Sequence, residues 1–240
     1  MLMAFGRALR DLCSLRMLAL AVWPMLVALA VWLGIAWLYW AEWARLVDGW
    51  MTGSILTDWL PAGGVLELAH YAAWILTALL LVPLVLATAG MLAALLAMPL
   101  IVGFVAARGY PALERRRGGS VAGSFLNALI AVIVFATLWV VTLPLWLAGL
   151  FGPLLGLLLA GWLIQRLFRY DALAEHADAA EYRAIVAACR GRFFLLGLMV
   201  ALLYTLPFVN LLAPVAGGLV FTHYALARLV ALRARSGSRD

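Results

Sequence analysis

Apolar residues along this chain run in four long blocks, about Leu15–Ala41, Leu68–Ala107, Val121–Ile164 and Phe193–Leu226. Each reaches or exceeds the ~20 residues that a helix needs to cross a bilayer. Barrel strands alternate apolar and polar positions over about ten residues, whereas Leu76–Ala87 is apolar at nearly every position. Helices are then the remaining way to satisfy backbone groups in lipid. The pattern predicts an all-α integral membrane protein.

Composition sharpens this picture. The 240 residues are 68% hydrophobic and 12% charged, outside the range of soluble domains. Arg7, Arg10 and Arg16 precede a first block too long for a signal-peptide core, so the block is read as a retained span. The net charge of +6 suits anionic lipid head groups. Because the basic residues flank apolar blocks instead of lining one soluble face, they argue against nucleic acid as a partner. Cys13 and Cys189 are far apart beside Arg-rich segments, and they read as packing residues, neither disulfide nor metal ligands.

Charge bias sets the orientation. Residues 42–67 hold Glu42, Asp48, Asp58 and Glu67 against Arg45, while Arg108–Ser120 holds Arg108, Arg115, Arg116 and Arg117 against Glu114. Basic loops favour the cytoplasm, so the arm 1–14 is placed inside and the acidic loop outside. The spans 15–41 and 68–107 then cross in opposite senses, the second as one long helix. Gln165–Arg192 and the C-terminal tail are also Arg-rich and read as cytoplasmic.

Segments 121–169 and 193–231 therefore begin and end on one side, each as a hairpin. Pro144, Gly149, Gly152 and Pro153 break the first; Pro207, Asn210 and Pro214 break the second. Their arms, Leu154–Arg166 and Phe193–Leu206, hold thirteen and fourteen residues, short for a crossing at ~1.5 Å per residue. The expected architecture is two long transmembrane helices plus two re-entrant helical hairpins, in a single membrane domain. Full crossing leaves the termini on the same side and stays open. Between the hairpins, residues 178–190 carry an amphipathic pattern suited to a short interfacial helix. Trp37, Tyr39, Trp40 and Trp43 read as interfacial anchors.

No phosphate loop, HExxH, GxSxG or paired intramembrane carboxylates occur, which argues against an enzyme and leaves no evident cofactor or metal site. His176, with acidic neighbours at i−1 and i+2 that do not share its helix face, reads as a solvated residue in a wet Glu175–Arg183 stretch. Scarce ionisable groups inside the blocks leave backbone dipoles, hydroxyls and edge-lying Arg to form any ion path, which favours anions. Ser14-Leu15-Arg16 opens the first long helix, with Ser14 as an N-cap candidate. Free N–H groups and Arg16 there can hold an oxyanion, although a capped start with a snorkelling Arg is also common. At the second hairpin apex, Asn210 between Pro207 and Pro214 can bond freed peptide groups or touch an ion.

Tyr170-Asp171, His176, Glu181, Arg190-Gly191-Arg192, Leu196-Gly197 and Leu206-Pro207-Phe208-Val209-Asn210-Leu211-Leu212-Ala213-Pro214 together resemble the CysZ sulfate permease family, which shares its domain with the etoposide-induced proteins. The resemblance implies an oligomeric inner-membrane protein with two long helices and two re-entrant hairpins, linked to sulfate uptake for cysteine synthesis. It also implies sulfate bound by a Gly-Leu-Arg motif that aligns with Ser14-Leu15-Arg16. Here Ser replaces the Gly, and Met17 stands where a second Arg is often seen. The expected function is a membrane permease or channel for sulfate or a similar oxyanion. The alternative is a non-transporting scaffold or assembly protein that recruits a partner through 178–190.

Overall fold

The structure is a computed structural model that describes residues 2–52, 65–146, 149, 151–206 and 209–236. Among these residues there are seven helices and no strand: α1 Leu2–Leu12, α2 Leu15–Thr52, α3 Val65–Gly109, α4 Val121–Trp146, α5 Phe151–Ala174, α6 Ala179–Thr205 and α7 Val209–Ser236. Stretches within six of them are long and apolar enough to cross a membrane. The protein is an all-α, multi-pass membrane protein.

The chain forms two compact units, one from Met1–Ala21 with Ala94–Asp240 and one from Val22–Ala93. In the larger unit α7 is the central post: 67% of its most apolar window is buried, against 6% for α4. That contrast explains why α4 is apolar almost all round, since its exposed face must meet lipid or another apolar surface. Phe221 of α7 stacks with Phe193 of α6 and Phe168 of α5, at ring separations of 6.1 and 5.5 Å. Helices α5 and α6 approach closely through Gly161 and Gly197. A Cβ on Gly197 would meet the Gly161 carbonyl, and one on Gly161 would lie 2.7 Å from Leu198. Small residues at a helix crossing allow this approach in membranes, where packing replaces the hydrophobic drive.

In the smaller unit, Trp32 Nε1 donates to Thr88 Oγ1 at 3.0 Å, and Trp40 meets Trp74 edge-on at 5.8 Å. Trp37 is exposed, while Tyr39 and Trp43 stack at 6.4 Å. An apolar cavity of about 1030 Å³ runs between the two helices of this unit past Trp37 and Trp40.

Three sequence expectations need correction. The arm 1–14 is largely the helix α1, whose strongly amphipathic pattern buries Ala4 and Ala8. The expected helix 178–190, by contrast, is matched by a segment that a kink sets off from the helix after it. It is the first limb of α6, which departs from helical backbone at Cys189 (φ −120°, ψ 16°) and continues as the apolar limb. Lastly, Arg166 does not bound its helical arm. α5 has 24 residues, because Arg166 and Arg169 extend it along a cavity wall instead of ending it, whereas the apolar limb of α6 begins past Cys189, close to the expected Phe193. Pro214 likewise lies inside α7 without ending it.

Candidate anion-binding site

At the start of α2, the Ser14 carbonyl accepts from the N–H groups of Met17 and Leu18, both at 3.0 Å, which is the N-cap position. The Ser14 hydroxyl, however, donates to the Asp11 carbonyl at 2.6 Å. It closes the turn behind the helix instead of facing the free N–H groups ahead. Leu15 and Arg16 are exposed, and Arg16 has no hydrogen-bond or ion-pair partner among the described residues.

The amphipathic α1 fixes two side chains whose directions the sequence leaves open. Arg7 Nη1 donates to the Tyr110 hydroxyl at 3.5 Å, and that hydroxyl donates to the His223 carbonyl at 3.3 Å. Burial raises the Tyr110 pKa, with Arg7 opposing, so the phenol stays protonated. Asp11 Oδ2 lies 2.8 Å from His223 Nε2, and Asp11 Oδ1 lies 3.8 Å from Arg108. These contacts dock α1 against α7 and put a carboxylate near Ser14.

At the second hairpin, Pro207 lies outside the described residues. Asn210 is exposed, and its backbone N–H donates to the Leu206 carbonyl at 3.0 Å. Its side chain has no partner among the described residues. Pro214 is half-buried in α7. Asn210 and Pro214 are thus placed apart from Ser14-Leu15-Arg16, with no hydrogen bond or ion pair joining them among the described residues.

The densest unpaired positive charge lies elsewhere, in a cavity of about 670 Å³ between α5 and α6 lined by Arg166, Arg169, Arg183 and Arg190 and by no carboxylate. Gln165 Oε1 accepts from Arg169 Nη1 at 2.8 Å, and the Arg166 guanidinium lies 5.6 Å from the Trp162 ring. Asn127 Nδ2 donates to the Arg166 carbonyl at 3.2 Å, tying this stretch of α5 to α4. The sequence reading missed this site because it treated these arginines as topological signals. The available signal was spacing: Trp162, Gln165, Arg166 and Arg169 stand at i, i+3, i+4 and i+7 and so share one helix face.

Beside the cavity, the loop before α4 and the α5–α6 turn are closed by an ionic hub. Arg233 donates to both oxygens of Glu181 at 2.8 and 3.0 Å and to the carbonyls of His176 and Glu114 at 2.7 and 3.0 Å. Arg116 adds contacts to Glu181 at 3.0 Å and Asp178 at 3.4 Å, and nearby carboxylates raise its already high pKa, Glu114 most. Asp178 caps α6 by accepting from Ala180 and Glu181 N–H groups while Glu181 accepts from the Asp178 N–H, a full capping box. The Glu181 N–H leads the causes that lower the Asp178 pKa. Contrary to the wet-face reading, His176 is 1% exposed and Glu181 9%. Loop 116–119 makes this possible by pairing its N–H groups with carbonyls of 174–177. Gly118 and Gly119 are required there, because a Cβ would lie 2.5 Å from the Ala177 carbonyl or 2.6 Å from Ala174.

A family model described as sulfate transporter CysZ/etoposide-induced protein 2.4 matches residues 4–214. The chain belongs to this family. A search of curated proteins returns no match. The CysZ/etoposide-induced match takes in Ser14-Leu15-Arg16, the arginine cavity and Asn210, and it ends at Pro214. His223 and Arg233, which hold α1 and the loop hub, lie beyond it. The family is one of transporters, which accords with a non-enzymatic protein and with the multi-pass helical fold.

Proposed function

We propose that this CysZ-family protein is a permease or channel for sulfate or a related oxyanion, feeding cysteine synthesis from a bacterial inner membrane. The family match over residues 4–214 carries the reading, since it takes in five candidate spans and the start of the sixth. Arg16, exposed and unpaired at the start of α2, supports an entry site at Ser14-Leu15-Arg16, in which the guanidinium does the binding and the Ser14 hydroxyl shapes the turn. Both termini lie in the cytoplasm under the charge bias. The apolar limbs Phe151–Ile164 and Phe193–Thr205 would extend about 20 Å each against a hydrocarbon core of about 30 Å, which supports re-entry of the α4–α5 and α6–α7 hairpins. Irregular backbone at such depth needs protein or water around it, and this supports a homo-oligomer.

The scaffold alternative loses support, because the acidic groups of its recruiting segment, Asp178 and Glu181, are already paired within the chain. The test is sulfate flux into liposomes holding the purified protein, beside Arg16→Ala. Saturable flux reduced at least tenfold in the variant is the expected result. Equal flux in both discards the entry site, and no flux from folded protein discards the permease.

A further inference from the structure

The geometry points to a binding site for a tetrahedral oxyanion group, sulfate or phosphate, in the cavity between α5 and α6, held by the guanidinium groups of Arg166, Arg169, Arg183 and Arg190. The Ser14-Leu15-Arg16 entry belongs to another part of the chain. The cavity site stands beside the permease reading and does not rest on it.

Pairing separates these four arginines from several others of the chain. Arg108, Arg115, Arg116 and Arg233 each have a carboxylate within ion-pair distance. None of the four cavity arginines has one among the described residues, and none of the residues lining the cavity is acidic. Guanidinium groups gathered around one cavity repel one another, and a bound anion relieves that repulsion.

Two donors also lack acceptors. The Nε atoms of Arg166 and Arg169 are buried without a hydrogen-bond partner, an arrangement that costs free energy unless a ligand supplies an acceptor. The surrounding residues hold the donors in place. Gln165 holds one Nη of Arg169, Trp162 lies beside Arg166, and Arg183 Nε donates to the Ala179 carbonyl at 3.1 Å. A guanidinium presents its N–H groups as a planar fork, which matches two oxygens of a sulfate or phosphate group. At about 670 Å³ the cavity exceeds the size of a free ion, so the phosphate of an anionic lipid head group fits the same chemistry.

The test uses the full chain in uncharged detergent, titrated with sodium sulfate and with inorganic phosphate at constant ionic strength, followed by calorimetry. Wild type, Arg166→Gln/Arg169→Gln, Arg183→Gln/Arg190→Gln and Arg16→Ala are compared, with unfolding curves to confirm the fold. A second arm measures phosphatidylglycerol retained by each protein in native mass spectra. Free-anion affinity lowered at least tenfold in Arg183→Gln/Arg190→Gln, and kept in Arg16→Ala, supports the site with a free oxyanion. Phosphatidylglycerol retained by wild type and lost from folded Arg183→Gln/Arg190→Gln supports it with a lipid phosphate. Anion and lipid binding that is absent from wild type, or unchanged in the exposed pair Arg183→Gln/Arg190→Gln, overturns it. Because the readout is binding, a failure of sulfate flux leaves this result intact, and the converse holds.

Discussion

Arg233 and Glu181 form a two-pronged pair, Nε to Oε1 at 2.8 Å and Nη2 to Oε2 at 3.0 Å, joining the end of α7 to the first turn of α6. The pair is mostly buried, with 18% and 10% of the side chains exposed. The same guanidinium also satisfies the His176 and Glu114 carbonyls. One side chain thus closes the α5–α6 turn and the loop before α4 onto α7.

Truncating Arg233 takes two of four donors from the buried Glu181 carboxylate and one each from the His176 and Glu114 carbonyls. Arg233→Ala should destabilise the fold by about 2–4 kcal/mol, in the range of broken buried ion pairs and charged hydrogen bonds. Arg233→Lys should recover only part of this, since an ammonium cannot reproduce the fork. Chemical unfolding in detergent measures both; equal stability of Arg233→Ala and wild type would show the hub to be dispensable.

Glycine packing makes a paired prediction on one helix. Gly197→Ala drives a methyl into the Gly161 carbonyl, so α5 and α6 must separate at a cost of about 1–3 kcal/mol. Gly191→Ala meets nothing within 4 Å and should be neutral or stabilising by up to about 1 kcal/mol from helix propensity. Unfolding midpoints of the two variants check the contrast, and similar values for both would contradict the close crossing.

The His176 pKa is lowered, burial being the largest cause; Arg115 and Arg233 push the same way and Glu175 opposes. A depressed folded pKa means that the unfolded chain binds the proton more readily. The neutral imidazole therefore contributes stability above the unfolded value of about 6.5, and that contribution falls away as pH drops through this value toward the folded pKa. Melting temperatures between pH 7.5 and 5 should decline in wild type and decline less in His176→Gln. Parallel slopes would remove His176 as a source of acid sensitivity.

The membrane class was legible because block length and lack of alternation leave few other solutions. The paths of individual side chains were not. Glu181 and His176 look polar and wet by composition, and only the return of α7 brings Arg233 over them. α1 was hidden because eleven residues with Arg7, Arg10 and Asp11 resemble a charged flank, and its packing partner, α7, lies more than 200 residues away. The cavity arginines were visible as residues, but their shared space depends on Gly161 and Gly197 drawing two helices together. The entry residues Ser14-Leu15-Arg16 were legible as a helix start, while the direction of the Ser14 hydroxyl depended on the turn behind it.

Hairpin depth gives the last prediction. α5 and α6 are each long and apolar enough to cross, yet the limbs nearest the apices, Phe151–Ile164 and Phe193–Thr205, extend only about 20 Å, and the charged limbs carry the hub and the cavity arginines. If those limbs sit at the cytoplasmic surface, the apices stop inside the membrane. Gly149 is a poor probe position, because its φ of +72° strains any side chain. Phe151→Cys and Val209→Cys, both at exposed helix starts, serve better in a background with Cys13 and Cys189 replaced. A membrane-impermeant maleimide added from the periplasmic face should label neither, while a cysteine in the acidic loop at Asp58 should label fully. Labelling of both apex positions from that face would mean that the hairpins cross completely, and the charged limbs of α5 and α6 would then have to lie deeper than their arginines favour.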